Sequence, residues 1–328
     1  MPSVLITTEV LRDAPGTHID LLQATGYDVR FPSKTALLTE HDVLEAAQGS
    51  IAIIAGSEPY TDRVLADLPA LRIISRNGVG YDRIDVPAAT RRGVAVTITP
   101  DGNHQAVAEH TMALLLAVAR SVVSGAIDTR HGNWRRRSVS IPLRGKTLGI
   151  VGMGRIGRSV AVRAAAFGMR LLAYETCPDR EFTTKYGVEL VGIDKLLEES
   201  DFVTLHTPMT PETHELINAR TLMRMKRGSV LINTARGGLI NERDLLAALT
   251  SGHLAGAGLD VLVTEPPPPG HPLVALDNVI VSPHLAALDE QAVEDMATGA
   301  AQNIVDIFAG NWPTAALINP DVKEVWNA

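Results

Sequence analysis

Short runs of aliphatic and β-branched residues alternate along this chain with stretches whose apolar positions recur every three to four residues. In the first hundred residues Val4–Thr8, Val29–Phe31, Ile51–Ala55, Ile73–Ser75 and Val94–Ile98 read as strands. Between them His18–Ala24, Glu40–Gln48, Thr61–Ala66 and Val86–Arg92 read as helices. Strands alternating with helices predict a parallel sheet covered on both faces. His104 to about Thr129 then reads as one long helix, alanine-rich and apolar through its middle. From Lys146 the alternation restarts. Thr147–Val151, Arg170–Tyr174, Phe202–Leu205, Ser229–Asn233, Ala257–Leu259 and Val279–Val281 are predicted strands. Arg155–Phe167, Ile193–Glu199 and Glu242–Thr250 are predicted helices, and Glu290–Ala309 forms a last one. The pattern is therefore α/β, with two doubly wound parallel sheets in one chain.

Only the second half carries a phosphate-loop pattern. Gly152, Gly154 and Gly157 stand in G-x-G-x-x-G spacing after a strand and before a helix. The first glycine permits a tight turn, the second lets backbone approach a pyrophosphate, and the third lets helix and strand pack closely. The next strand ends in Glu175, placed to accept hydrogen bonds from ribose hydroxyls. A carboxylate there repels a 2′-phosphate, and no arginine follows before Arg180. The expected cofactor is thus NAD.

Ligands in such sheets bind beyond the carboxyl ends of the strands. Polar residues gather there: His206, Thr207 and Pro208 after the third strand; Thr234, Ala235 and Arg236 after the fourth; Asp260 after the fifth; His284 after the sixth. Arg236 is a candidate carboxylate clamp, since a planar guanidinium grips a carboxylate in two places. His284 is a candidate general acid/base. Glu265, in a proline-rich loop, is a candidate partner for it. A neighbouring carboxylate would hold the tautomer of an imidazole and favour its protonated form.

Composition narrows the class. At 328 residues, with 45% hydrophobic and 20% charged residues, the chain is long enough for two cores and is not disordered. A net charge of −7 gives no reason to expect nucleic acid or an anionic membrane as partner. The one cysteine, Cys177, excludes an internal disulfide. No basic-then-apolar leader opens the sequence, so a cytoplasmic location is expected. His206 and His214 are poorly spaced for a metal, and none is expected.

These motifs resemble the D-isomer-specific 2-hydroxyacid dehydrogenases over nearly the whole chain. The resemblance rests on Ile74–Asp85 (ISRNGVGYDRID), Gly145–Gly157, Leu205–Ile217, Met225–Ile240, Leu259–Pro268 and Ser282–Ala287. It implies a flavodoxin-like substrate domain of residues 1–100 plus 288–328, and a Rossmann NAD domain of residues 101–287. It implies that Arg236 binds the substrate carboxylate and ketone, that Glu265 supports His284, and that His284 moves the proton. The backbone of Asn77, Gly78, Val79 and Gly80 would hold the substrate carboxylate. Asp260 would bind the nicotinamide amide, and Arg155 and Ile156 would meet the pyrophosphate. A cleft closing about crossings near Thr99–Asn103 and Ala286–Glu290 is also implied, as is a homodimer built on the long helix and the arm containing His131–Arg137.

Within the group the sequence looks most like 3-phosphoglycerate dehydrogenases, with glyoxylate or hydroxypyruvate reductases as the alternative. Ala55-Gly56-Ser57 stands where phosphate-binding members often carry an arginine, which puts a phosphorylated substrate in doubt and leaves glyoxylate, hydroxypyruvate or another small 2-keto acid comparably plausible. Glu265 argues against formate dehydrogenase activity, whose enzymes have glutamine there. An NAD(H)-sensing binding protein of the same fold is the reading from another class.

Overall fold

The computed structural model describes residues 1–34, 37–134 and 139–326. The chain divides into two compact units, residues 1–103 with 288–328, and residues 104–287. In the first, strands β1 (Ser3–Ile6), β2 (Asp28–Arg30), β3 (Ser50–Ala55), β4 (Ile73–Arg76) and β5 (Ala95–Thr97) alternate with helices α1 (Thr17–Ala24), α2 (Glu40–Ala47), α3 (Asp62–Ala66) and α4 (Val86–Arg91). The second contains α5 (His104–Ala119), α6 (Val122–Arg130), β6 (Thr147–Val151), α7 (Arg155–Ala166), β7 (Arg170–Tyr174), α8 (Arg180–Tyr186) and β8 (Val188–Leu190). It continues through α9 (Ile193–Glu199), β9 (Phe202–Leu205), α10 (Ala219–Arg224), β10 (Ser229–Asn233), α11 (Glu242–Thr250), β11 (Leu254–Leu259) and β12 (Val279–Val281). The last helix, α12 (Glu290–Phe308), belongs to the first unit.

Both sheets are parallel throughout. The first has the order β2-β1-β3-β4-β5 and the second β12-β11-β10-β9-β6-β7-β8. These are the flavodoxin-like order and the Rossmann order with one added strand. Each sheet is buried on both faces, which explains why its strands read as unbroken apolar runs. In the first unit, Val43, Val64 and Ala88 from α2–α4 cover one face, and Ala297, Ala300 and Ile304 of α12 cover the other beside Leu22 of α1. In the second, Leu196, Leu222 and Leu245 of α9–α11 lie on one face, and Met112, Leu115, Val160 and Ala164 of α5 and α7 on the other.

The long helix and the second sheet differ from the sequence reading, and α8 and α10 were not expected. The expected long helix is two helices, α5 and α6, bent by 62° across Arg120–Ser121. Ser121 adopts φ 51°, a left-handed conformation that interrupts the ladder. Apolar periodicity continues through the bend because α6 carries Val122, Val123 and Ile127, and these are exposed rather than core. The second sheet has seven strands, not six. The extra strand, β8, is three residues containing Glu189, too short and too polar to give a periodic signal. Among the described residues no single helix is long and apolar enough to cross a membrane.

Candidate active site

The turn from β6 into α7 is built by its glycines. Gly152 adopts φ +94°, and a Cβ there would fall 2.6 Å from the carbonyl oxygen of His206. A Cβ on Gly157 would overlap the carbonyl of Gly152, so helix and strand ends meet backbone to backbone. Gly154 is different: a Cβ there would meet nothing within 4 Å. The space over it is open, so no packing contact of the protein requires glycine there. Gly154 is also the N-cap of α7 and gives the helix no side-chain acceptor. The start of α7 therefore carries no side-chain cap, and a helix N-terminus of this kind favours an anion.

Glu175 closes the far side of this turn. Its carboxylate accepts the N–H of Met153 at 2.7 Å and that of Cys177 at 3.0 Å. Burial pushes its pKa up, but the N–H groups of Cys177 and Met153 outweigh it and hold the carboxyl below its ordinary value. It is therefore an anion at neutral pH. Cys177 itself is exposed. Half-buried His206 follows β9 and shares a 2.9 Å hydrogen bond with Thr204 Oγ1. Burial pushes its pKa down to about 3, so its ring is neutral. Thr207 and Pro208 lie beside it at the strand end.

At the ends of β10, β11 and β12 the three candidate catalytic residues converge. His284 Nδ1 lies 2.7 Å from Glu265 Oε2. The other carboxylate oxygen of Glu265 accepts the N–H of Leu262 at 2.9 Å. Burial raises the Glu265 pKa, but the His284 hydrogen bond and charge, the Leu262 N–H and the charge of Arg236 together lower it. Arg236 is therefore close enough to act electrostatically on Glu265. A close packing contact brings its loop there: a Cβ on Gly237 would collide with the backbone of Leu262. Asn233, fully buried, shapes the loop by accepting the N–H of Ala235 at 3.0 Å and donating to the Arg236 carbonyl at 2.8 Å. Thr234 Oγ1 meets Thr111 Oγ1 of α5 at 2.9 Å. Asn233 and Thr111 were not singled out from the sequence, since neither residue type marks chemistry by itself.

Asp260, after β11, is 1% exposed, and its carboxylate accepts hydrogen bonds from Ser282 and from the N–H groups of Leu285 and Ala286. Burial raises its pKa, but His110, Ser282 and the N–H groups of Ala286 and Leu285 lower it further.

The NGVG loop follows β4 in the other unit. The N–H of Asn77 donates to Ala55 O at 2.9 Å. The N–H of Gly78 donates to Thr99 Oγ1 at 2.8 Å and to Arg76 O at 3.0 Å. These two donors are bonded inside the unit. Val79 and Gly80 are half-buried. Of the arm read as His131–Arg137, the residues Arg135–Arg137 lie outside the described residues.

Residues 112–286 match the NAD binding domain of the D-isomer specific 2-hydroxyacid dehydrogenases. This chain belongs to that family. A glyoxylate reductase of Korarchaeum cryptofilum is 43% identical over 274 residues, 82% of this chain and 82% of the relative. A D-3-phosphoglycerate dehydrogenase of Methanocaldococcus jannaschii is 37% identical over 99% of this chain, which spans only 61% of that relative's length. A crystal structure of a Thermus thermophilus protein superposes with a TM-score of 0.87 at 40% identity, covering 96% of this chain and 99% of that one. The protein is accordingly an NAD-dependent oxidoreductase of 2-hydroxy acids. The fit of NAD agrees with the local geometry: open space over Gly154, no side-chain cap at the start of α7, and an anionic Glu175 beyond it.

Proposed function

We propose that this dehydrogenase reduces a small, unphosphorylated 2-keto acid to the D-2-hydroxy acid, with His284 as proton donor. The observation that carries the role of His284 is its 2.7 Å pairing with Glu265 beside Arg236. With Nδ1 held by Glu265, the opposite ring nitrogen, Nε2, is the one that serves the substrate oxygen. NADH, when bound, supplies the hydride to the substrate carbon. His284 supplies the proton to the carbonyl oxygen, and Glu265 stabilises the charged ring before transfer. Arg236 grips the substrate carboxylate and polarises the carbonyl. Val79 and Gly80 add backbone donors from their loop. The first turn of α7 holds the pyrophosphate, and Glu175 accepts from the ribose hydroxyls and disfavours NADP. Thr207, Pro208, Thr234 and Ala235 line the cofactor site.

The substrate class follows from the end of β3. Ala55-Gly56-Ser57 offers no cation there, and the next residue is Glu58, a carboxylate 3% exposed. The phosphorylated alternative, 3-phosphohydroxypyruvate, is favoured by the likeness to the phosphoglycerate dehydrogenase. A homodimer built on α5 and α6 is supported by Val122, Val123, Ile127 and Trp134, which are 57%, 41%, 46% and 78% exposed. The single cysteine, Cys177, is free and fits a reducing, cytoplasmic setting.

Steady-state NADH oxidation with glyoxylate, hydroxypyruvate, pyruvate and 3-phosphohydroxypyruvate tests the substrate reading. The expected result is a higher kcat/KM for glyoxylate or hydroxypyruvate than for the phosphorylated acid. The reverse order would reject the substrate class while leaving the catalytic assignment intact.

A further inference from the structure

Behind the Glu265–His284 pair lies a second polar cluster. His110, on α5, places Nε2 2.8 Å from Ser282 Oγ and 3.4 Å from Asp260 Oδ1. Ser282 Oγ donates to that same oxygen at 2.6 Å. The serine proton is thus committed to the carboxylate, so Oγ accepts from His110, and Nε2 carries a hydrogen. Asp260 Oδ1 also accepts the N–H of Leu285 at 3.0 Å, and Oδ2 accepts that of Ala286 at 2.9 Å. The carbonyl of Asp260 accepts the N–H of His284 itself at 2.9 Å.

One buried residue therefore holds the chain at positions 282, 284, 285 and 286, on both sides of His284. His284 needs holding. Its φ is 51°, a left-handed conformation uncommon for a residue with a Cβ, and it persists only where surrounding bonds fix it. Its side chain is 40% exposed, so side-chain packing does little of this work.

We infer that His110, Ser282 and Asp260 form a clamp that positions His284, with His110 acting through Asp260 rather than on a ligand. This rests on the reading of His284 as the proton donor. The consequence is a split between the chemical step and cofactor binding. The clamp sets where His284 points, while the cofactor's phosphates and ribose meet residues of the β6–α7 turn and Glu175.

The test compares His110→Ala, His110→Gln, Ser282→Ala and His284→Gln in the full-length enzyme. It measures kcat with a 2-keto acid, and NADH affinity by fluorescence. His110→Ala is expected to lower kcat about 10- to 100-fold, the size of one lost hydrogen bond to a charged group, with NADH affinity within about twofold. His110→Gln puts an amide donor at the position of Nε2 and should recover most of the loss. Ser282→Ala should lower kcat less, since His110 still reaches Asp260, and its effect should not add to that of His110→Ala. If His110→Ala fails to fold, the Ser282→Ala and His110→Gln measurements decide. Unchanged kcat in His110→Ala, or in Ser282→Ala where the first variant is lost, overturns the clamp. So does a loss confined to NADH affinity, which would place the cluster at the cofactor. If His284→Gln itself keeps wild-type turnover, the proton-donor reading fails, and the clamp falls with it. If only His284→Gln is impaired, the clamp alone is wrong.

Discussion

At the switch point of the seven-stranded sheet, between β6 and β9, the chain leaves an open turn. Gly154 has no side chain, a Cβ there would touch nothing, and the first turn of α7 has no side-chain cap. At the corresponding point of the five-stranded sheet, between β1 and β3, the chain fills the space with its own carboxylate. Glu58 Oε1 accepts the N–H of Gly56 at 2.9 Å, the Tyr60 hydroxyl at 2.6 Å and the hydroxyl of Thr7. Both folds offer a crevice beyond the strand ends. In one, the helix start carries no side-chain cap and the space over Gly154 is open. In the other, the donors are taken by a buried side chain of the chain itself. The topology supplies a site, and the side chains at the strand ends decide whether it is open.

The largest expected effect tests whether proton transfer resides only in the second unit. His284→Gln should lower kcat for keto-acid reduction by about 10²–10⁴-fold, the usual contribution of a general acid. NADH affinity should survive, as read by fluorescence titration. Turnover close to wild type would move the chemistry elsewhere.

A smaller effect probes the open crevice. Gly154→Val puts bulk where the protein has none of its own, so the melting temperature should barely move. NADH affinity should fall about tenfold or more, the order of an overpacked contact. A variant that melts early but binds NADH normally would show that the space serves folding instead.

The closed crevice should answer in the opposite sense. Glu58→Gln replaces an acceptor of three hydrogen bonds with a group that also donates. Urea unfolding should show a loss of about 1–3 kcal/mol, with NADH affinity unchanged. A change in NADH affinity without a stability loss would make Glu58 part of a ligand site.

The smallest effect lies in the first unit's core. His18 is 2% exposed between α1 and α12, and neither ring nitrogen has a hydrogen-bond partner among the described residues. Burial lowers its pKa from 6.5, against the opposing pull of Glu294 and Asp20. The unfolded chain therefore binds this proton more readily than the folded one. Stability should fall as pH drops below about 6.5 toward the folded value, and no penalty exists above it. Thermal melts of wild type and His18→Leu between pH 5 and pH 7.5 should converge or cross toward the acid end. Parallel curves would remove His18 as a source of pH dependence.

Legibility in the sequence followed the reach of each signal. The glycine loop was readable because strand, turn and helix are contiguous, and each glycine answers a local demand. Glu175 was readable because it ends the next strand. Arg236 and His284 were readable as strand-end residues and Glu265 as a loop carboxylate, and the family motifs gave them roles, but their sequence separation gave no sign that they meet. Asn233, His110 and Ser282 left no trace, because a buried asparagine, a helical histidine and a serine before proline have many ordinary uses. The bend at Ser121 was hidden because its cause is one residue's φ, while apolar spacing runs on through exposed Val122, Val123 and Ile127.

By itself, the sequence determined the two α/β units, most strands and helices, the dinucleotide turn and the acid that follows it. All of these are local, set by side-chain period, glycine conformation and the next strand along. Only the tertiary structure decided which strand ends converge, and so which polar groups share protons. It turned Asp260 inward, engaged its oxygens with His110 and the loop around His284, and committed the N–H groups of Asn77 and Gly78 inside their own unit. Those outcomes depend on hydrogen bonds between residues far apart in the chain, and a buried polar group takes whichever partner the packed elements bring within reach.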